Sequence, residues 1–340
     1  MTQAPTSESG QTGSRSPSPF TPDPAVAARM TSLLQHVGDA VIAEVASHIE
    51  TSAPIGAAAV IDAKTAANLV ERHDLASTVE LALLALPVAR TFASPPISGY
   101  RVAAVGIEAG TGDLILGGNL EFPGTELWTT VHAEGFVSLR ARNRGHLLAT
   151  LAIGEAHPCA HCRQTLSESA AADGLAIVDL LGHRLRLDDL YPWPFRPGAL
   201  GMPGDDPTRT TPAGLAIEAD DGPPPPIEVG AALIQAGGRA HAPYSGAPSA
   251  VAVRLRDGRI AAASCVESVA FNPSISALQA VLVDLAAARI DPAAIEEAWL
   301  VRTRGGSVDP RVGFVSLLGN VAPDVRMHAL RWAAGDGTAH

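Results

Sequence analysis

The chain has 340 residues, with 24 Lys and Arg against 35 Asp and Glu, a formal net charge of −11 and 4% aromatic residues. That length holds two domains with sizeable cores. One lysine, Lys64, and arginines scattered singly form no basic stripe interleaved with aromatics, which counts against a nucleic-acid partner. Three cysteines argue against a disulfide framework and for a reducing, cytoplasmic setting. No apolar run reaches the length of a membrane span; residues 81–88 are too few and read as a buried helix.

Residues 1–24 are rich in Ser, Thr, Pro and Gly, lack the apolar core of a signal peptide, and read as a disordered tail. Apolar residues then recur at helical spacing over 25–50 (Met30, Leu33, Val37, Val41, Val45), and helices continue over 63–75 and 77–92. Strands are predicted over 101–107 and 113–116, parted by Gly110-Thr111-Gly112. A helix opening at His132, a strand over 146–153, a helix over 165–172 ended by Gly174, and a strand over 175–181 follow. Strands alternating with helices imply a sheet covered on both faces. Residues 197–224 carry linker chemistry, with four prolines in a row at 223–226 straddling their end. The chain therefore divides into a helical region (25–76), a first α/β domain (77–196), the linker, and a second domain (225–340).

Within the first domain, Val131-His132-Ala133-Glu134 is followed by Pro158-Cys159-Ala160-His161-Cys162. His132, Cys159 and Cys162 are ligand types that zinc favours, and three protein ligands leave the fourth tetrahedral position open, as in a catalytic zinc site. Cysteines with two residues between them can sit at a helix start, whose N-terminus favours thiolates. A lone C-x-x-C would fit a structural knuckle or a redox pair equally well. Here no second pair exists, since Cys265 is the sole other cysteine. Glu134 is a carboxylate beside the metal with no structural use there. H-x-E followed by P-C-x-x-C is the pattern of zinc deaminases that remove an amino group from a nucleobase. His157 and His161 are expected to stay off the metal.

After the linker the order returns. Ser245-Gly246 precedes Cys265-Val266-Glu267-Ser268 as Ser98-Gly99 precedes Asn119-Leu120-Glu121-Phe122, and a helix over 276–288 falls where the His132 helix fell. Ser276-Ala277-Leu278 offers neither the histidine nor the glutamate, and no C-x-x-C follows. The second copy is expected to bind no metal.

On the first-domain runs 118–122, 130–134 and 158–164, and on Pro243-Tyr244-Ser245, Asp257-Gly258-Arg259-Ile260 and Ala270-Phe271-Asn272-Pro273, the chain resembles the two-domain, homodimeric cytidine deaminases. The resemblance implies a duplicated three-layer α/β/α fold with a helical lead-in. It also implies one Zn2+ per chain on His132, Cys159 and Cys162, and cytidine or 2′-deoxycytidine as substrate. Glu134 would be the proton carrier. Asn119, Leu120 and Glu121 would bind the ribose, Tyr100 would pack on the base in place of a phenylalanine common in relatives, and backbone near Ala133 would hold the base edge. Phe271 would reach the base from the partner subunit, at a dimer-interface active site. Arg163 is expected to support the thiolates indirectly, through the groups around them, rather than to touch substrate. A deaminase of a modified or analogue aminonucleoside is the alternative on the same site; a zinc-stabilised binding protein is disfavoured by Glu134.

Overall fold

The structure is a computed structural model that describes residues 18–49, 53–209, 215–220 and 223–333. Most of the expected tail lies outside the described residues. Asp23 begins the ordered lead-in: its carboxylate accepts from the Ala25 N–H at 2.8 Å, and Pro24 occupies the first position of α1 (Pro24–His36), where no N–H is needed. The expected single helix over 25–50 breaks at Val37, and α2 (Gly38–Ile49) follows. After strand β1 (Val60–Ile61), Asp62 caps α3 (Ala63–Arg72) through the Thr65 N–H. Residues 77–92 form α4 (Thr78–Leu84), α5 (Leu86–Ala89) and a 3₁₀ turn rather than one helix. Pro87 has no N–H to continue the ladder.

Two sheets follow. The first comprises β1, β2 (Ala103–Glu108), β3 (Leu114–Gly118), β4 (Leu148–Ile153), β5 (Ala176–Val178) and β6 (Arg184–Arg186), in the order β1-β3-β2-β4-β5-β6, with β4–β5 the parallel pair. Its helices are α6 (Ala133–Asn143), α7 (Ala160–Ser167) and the short α8 (Leu187–Leu190). The second sheet holds β7 (Ile217–Ala219), β8 (Ala250–Leu255), β9 (Ile260–Ser264), β10 (Ile295–Arg302) and β11 (Arg326–Trp332), in the order β7-β11-β10-β8-β9, with β10–β11 parallel. Its helices are α9 (Ile227–Gly237), α10 (Ala277–Ala287) and α11 (Arg311–Val321). The cores β3-β2-β4-β5 and β9-β8-β10-β11 are the same β-β-α-β-α-β path traced twice. Part of the expected linker joins the second sheet, because Ile217–Ala219 pairs with β11.

The two copies face each other through α6 and α10. Arg140 is fully buried, donating to Asp284 Oδ1 at 2.5 Å and to the Ala58 carbonyl at 2.6 Å. Arg142 donates to Asp205 Oδ2 at 2.8 Å and Ser264 Oγ at 3.1 Å. Glu168 receives His241 Nε2 at 2.8 Å, the Tyr244 hydroxyl at 2.5 Å and the Val269 N–H at 2.8 Å. Among the described residues, no helix is long and apolar enough to cross a membrane.

Candidate metal centre

Val131 pairs with Leu120 in a short antiparallel bridge, and the chain then turns into α6 with His132 as its N-cap residue. Cys159 occupies the same position at α7. The His132 side chain makes no cap bond to α6, whereas Cys159 Sγ meets Cys162 Sγ, one turn on in α7. Both helix starts face the site with their positive dipole ends, which favour thiolate. The cysteine helix starts at Ala160 and stops at Ser167, earlier at both ends than the expected 165–172. Beyond it the chain leaves to pair with another segment: the Asp205 N–H donates to the Glu168 carbonyl and the Ala170 N–H to that of Asp205.

The geometry fits zinc. His132 Nδ1 lies 3.2 Å from Cys162 Sγ and 3.5 Å from Cys159 Sγ, and the two sulfurs are 3.7 Å apart. A tetrahedral zinc, with Zn–S about 2.3 Å and Zn–N about 2.0–2.1 Å, places S and S about 3.8 Å apart and N and S about 3.5 Å apart. His161 is not in this ligand group; its ring centroid lies 5.8 Å from that of His132. His157 turns to Asp179 Oδ2 at 3.0 Å. Arg163 reaches the thiolates only through backbone, donating to the Pro158 carbonyl just ahead of Cys159 at 2.6 Å and to the Leu190 carbonyl at 2.6 Å.

The charges point the same way. The Cys159 thiol is lowered to about 4, first by hydrogen bonding with Cys162, against burial and with help from His132. Cys162 moves upward, through its bond to Cys159, burial and the nearby Glu134 carboxylate. Two adjacent thiols cannot both ionise alone; a dication between them removes that conflict. Glu134 sits on the first turn of α6, 4% exposed, and burial drives its carboxyl above the ordinary range.

Beside the ligands, Asn119 is buried, with Oδ1 accepting from the Val102 N–H at 2.9 Å and Nδ2 donating to the Tyr100 carbonyl at 2.9 Å. Glu121 is gripped by one turn: the Ile97 and Ser98 N–H groups donate at 2.8 Å each and Ser98 Oγ at 2.6 Å. Burial opposes its ionisation, but these bonds and the His132 ring hold it below the ordinary carboxylate value. Leu120 is buried between them, Ala133 is buried on α6, and the Tyr100 side chain is exposed. Phe271 is also exposed and lies in the second copy, at a left-handed φ of 61°.

Two family models, both for the cytidine and deoxycytidylate deaminase zinc-binding region, match the chain, one over residues 76–176 and the other over 207–311. The cytidine deaminase of Vibrio atlanticus is 32% identical over 259 residues, covering 76% of this chain and 85% of that protein. The chain belongs to the cytidine deaminase family. The cytidine deaminase of Klebsiella pneumoniae is 37% identical over 222 residues, covering 65% of this chain and 72% of that protein. The crystal structure of cytidine deaminase from Burkholderia pseudomallei is 18% identical, with a TM-score of 0.28 over 32% of this chain and 90% of that chain.

As a two-domain cytidine deaminase the chain takes zinc as its metal, and the second copy carries other residue types at the positions of the three candidate ligands. The bridges Leu120–Val131 and Val266–Ile275 correspond, so Ser276 stands where His132 does. There it has become a true cap: its hydroxyl accepts from the Gln279 N–H and the Gln279 side chain returns to its N–H. Pro310, N-cap residue of α11, takes the position of Cys159. The Ser-Gly pairs at 98–99 and 245–246 repeat in the sequence, but nothing in the sequence marks a role for Ser98. Its clamp on Glu121 becomes visible only when the turn and the strand end meet.

Proposed function

We propose that this chain hydrolyses cytidine and 2′-deoxycytidine to uridine and 2′-deoxyuridine with release of ammonia. The observation that carries this is Glu134, a buried carboxylate with a raised pKa beside a three-ligand set. Zinc, when bound there, supplies a Lewis acid that makes water nucleophilic near neutral pH. Glu134 takes a proton from the attacking water and delivers it to ring N3 as the oxygen bonds to C4. It then moves a second proton to the exocyclic nitrogen, so the C4–N bond breaks and ammonia leaves. A carboxyl raised by burial is suited to both transfers, because its pKa lies nearer the operating pH.

Asn119, Leu120 and Glu121 form the ribose end in this reading. Glu121 is held ionised and spends three acceptor positions on the 97–98 turn, leaving capacity for a hydroxyl donor. Tyr100, 56% exposed, covers the base, with backbone near Ala133 at its edge. Phe271, 64% exposed, serves the partner's site in a homodimer, since an aromatic left open on one chain suits an apolar base on the other. The division into a catalytic domain (77–196), a linker and a metal-free second domain belongs to the same proposal, as does a cytoplasmic location, where ligand thiols stay reduced. Ammonia release by zinc-loaded protein across cytidine, deoxycytidine, CMP and adenosine tests it. Turnover of the two cytosine nucleosides is expected; preference for CMP or adenosine, or no release from any, overturns it.

A further inference from the structure

The second copy keeps a cavity where its metal would have been. It has a volume of about 580 Å³, and its walls include Ser276 and Pro310, the counterparts of His132 and Cys159. Loss of the ligands has left the space open. The volume lies within the 300–1,000 Å³ usual for small-molecule sites, roughly that of a nucleoside with its first waters.

One functional element of the catalytic copy survives there. Glu267 lines the cavity and is gripped as Glu121 is: the Tyr244 N–H donates at 3.0 Å, the Ser245 N–H at 3.1 Å, and Ser245 Oγ donates as well. Ser245 Oγ in turn accepts from the Ala247 N–H at 3.0 Å, as Ser98 Oγ does from Tyr100 at 3.0 Å. Gly246 and Gly99 close both turns at positive φ, 63° and 68°. Cys265 accepts from the Ser249 N–H through Sγ at 3.3 Å, where Asn119 accepts from Val102. A carboxylate fixed in this way retains an acceptor position toward the cavity.

The rest of the lining selects the ligand class. Trp128, 59% exposed, and Tyr244 present aromatic faces for a planar base. Among the described residues, no lysine, arginine or histidine lines the cavity, whereas Glu267 and Asp309 both do. Asp309 is paired with Arg311 at 2.7 Å, which leaves the Glu267 carboxylate as the charge that meets a ligand; it repels a phosphate, so an uncharged nucleoside fits and a nucleotide does not.

From this juxtaposition we infer that the second domain is a metal-free nucleoside-binding site, taking an uncharged nucleoside with its ribose on Glu267 and its base against Trp128 and Tyr244. The inference rests on the ribose role given to Glu121. Equilibrium dialysis of labelled uridine against the zinc-loaded full chain tests it, with UMP as the charged comparison. Two uridines per chain are expected. Glu121→Ala should remove one, and Val308→Trp, which fills the cavity from an exposed rim position, should remove the other. Glu267→Gln gives a second route to that same loss, and zinc content reports whether each variant is folded. UMP should fail at the second site. A single uridine per chain, lost in Glu121→Ala and kept in Val308→Trp, overturns the inference while leaving the proposed function standing; a partner subunit filling the cavity would give that result. A single uridine lost only in Val308→Trp would instead overturn the ribose role of Glu121. Equal binding of UMP at the second site would overturn the nucleoside assignment.

Discussion

Glu121 and Glu267 are one residue solution used twice, a carboxylate fixed by a Ser-Gly turn so that it presents the same edge at all times. The fixation matters because a free glutamate loses side-chain entropy on binding, whereas a clamped one has already done so. Glu121→Ala is expected to lower kcat/KM for cytidine by about 10- to 150-fold, the usual worth of a hydrogen bond to a charged group. The loss should appear mainly in KM, and any residual reaction of free cytosine should change far less. Steady-state kinetics on both substrates checks this; equal loss on both would make Glu121 a structural residue. The clustering of His132, Cys159 and Cys162 beside Glu134 was legible in the sequence because metal chemistry restricts which residue types can serve. Ser98 was not, since it acts by holding Glu121, and a hydroxyl that positions a carboxylate has no pattern of its own.

At the scale of elements, the site depends on how deeply α6 beds onto the sheet. Gly106 and Gly117 make that approach possible. A Cβ at Gly106 would lie 2.4 Å from Val137 Cγ1, and one at Gly117 would lie 2.4 Å from the Phe136 ring. Gly117→Ala should push α6 outward, displace His132, and destabilise the fold by about 1–3 kcal/mol. Urea unfolding together with zinc content would show it; unchanged zinc retention and stability would mean that α6 is not seated by this contact. On its other side α6 carries Arg140. Asp284→Ala leaves that guanidinium buried without its carboxylate, at a cost of about 3–5 kcal/mol, read from the same unfolding midpoint. The main helices and strands were readable from periodicity. The edge strands Val60–Ile61, Arg184–Arg186 and Ile217–Ala219 were not, because two or three residues are too few to show alternation. The cysteine helix ended early because pairing with Asp205 outcompeted continued helix.

For the molecule as a whole, duplication places the copy that lacks the His-Cys-Cys set against the copy that carries it. The second copy reaches the metal-bearing elements directly: Gln279 Nε2 donates to the Thr129 carbonyl at 2.8 Å, three residues before His132, and Tyr244 bonds to Glu168 at the end of α7. Its tie to the catalytic copy was invisible in sequence, since these partners lie 150 and 76 residues apart. In the proposed homodimer, Phe271 would act on the other chain's site. Mixing Glu134→Gln with Phe271→Ala under subunit exchange should then restore activity, to about a quarter of wild type for random pairing of two-fold dimers. No recovery despite proven exchange would confine Phe271 to its own chain.

The central claim is that His132, Cys159 and Cys162 hold a catalytic zinc served by Glu134. It is tested most directly by zinc content and cytidine turnover measured on the same Glu134→Gln sample. The account predicts about one zinc per chain, as in wild type, from a single three-ligand site, with turnover lower by on the order of 10² or more. Near-normal turnover in that zinc-loaded variant would contradict it.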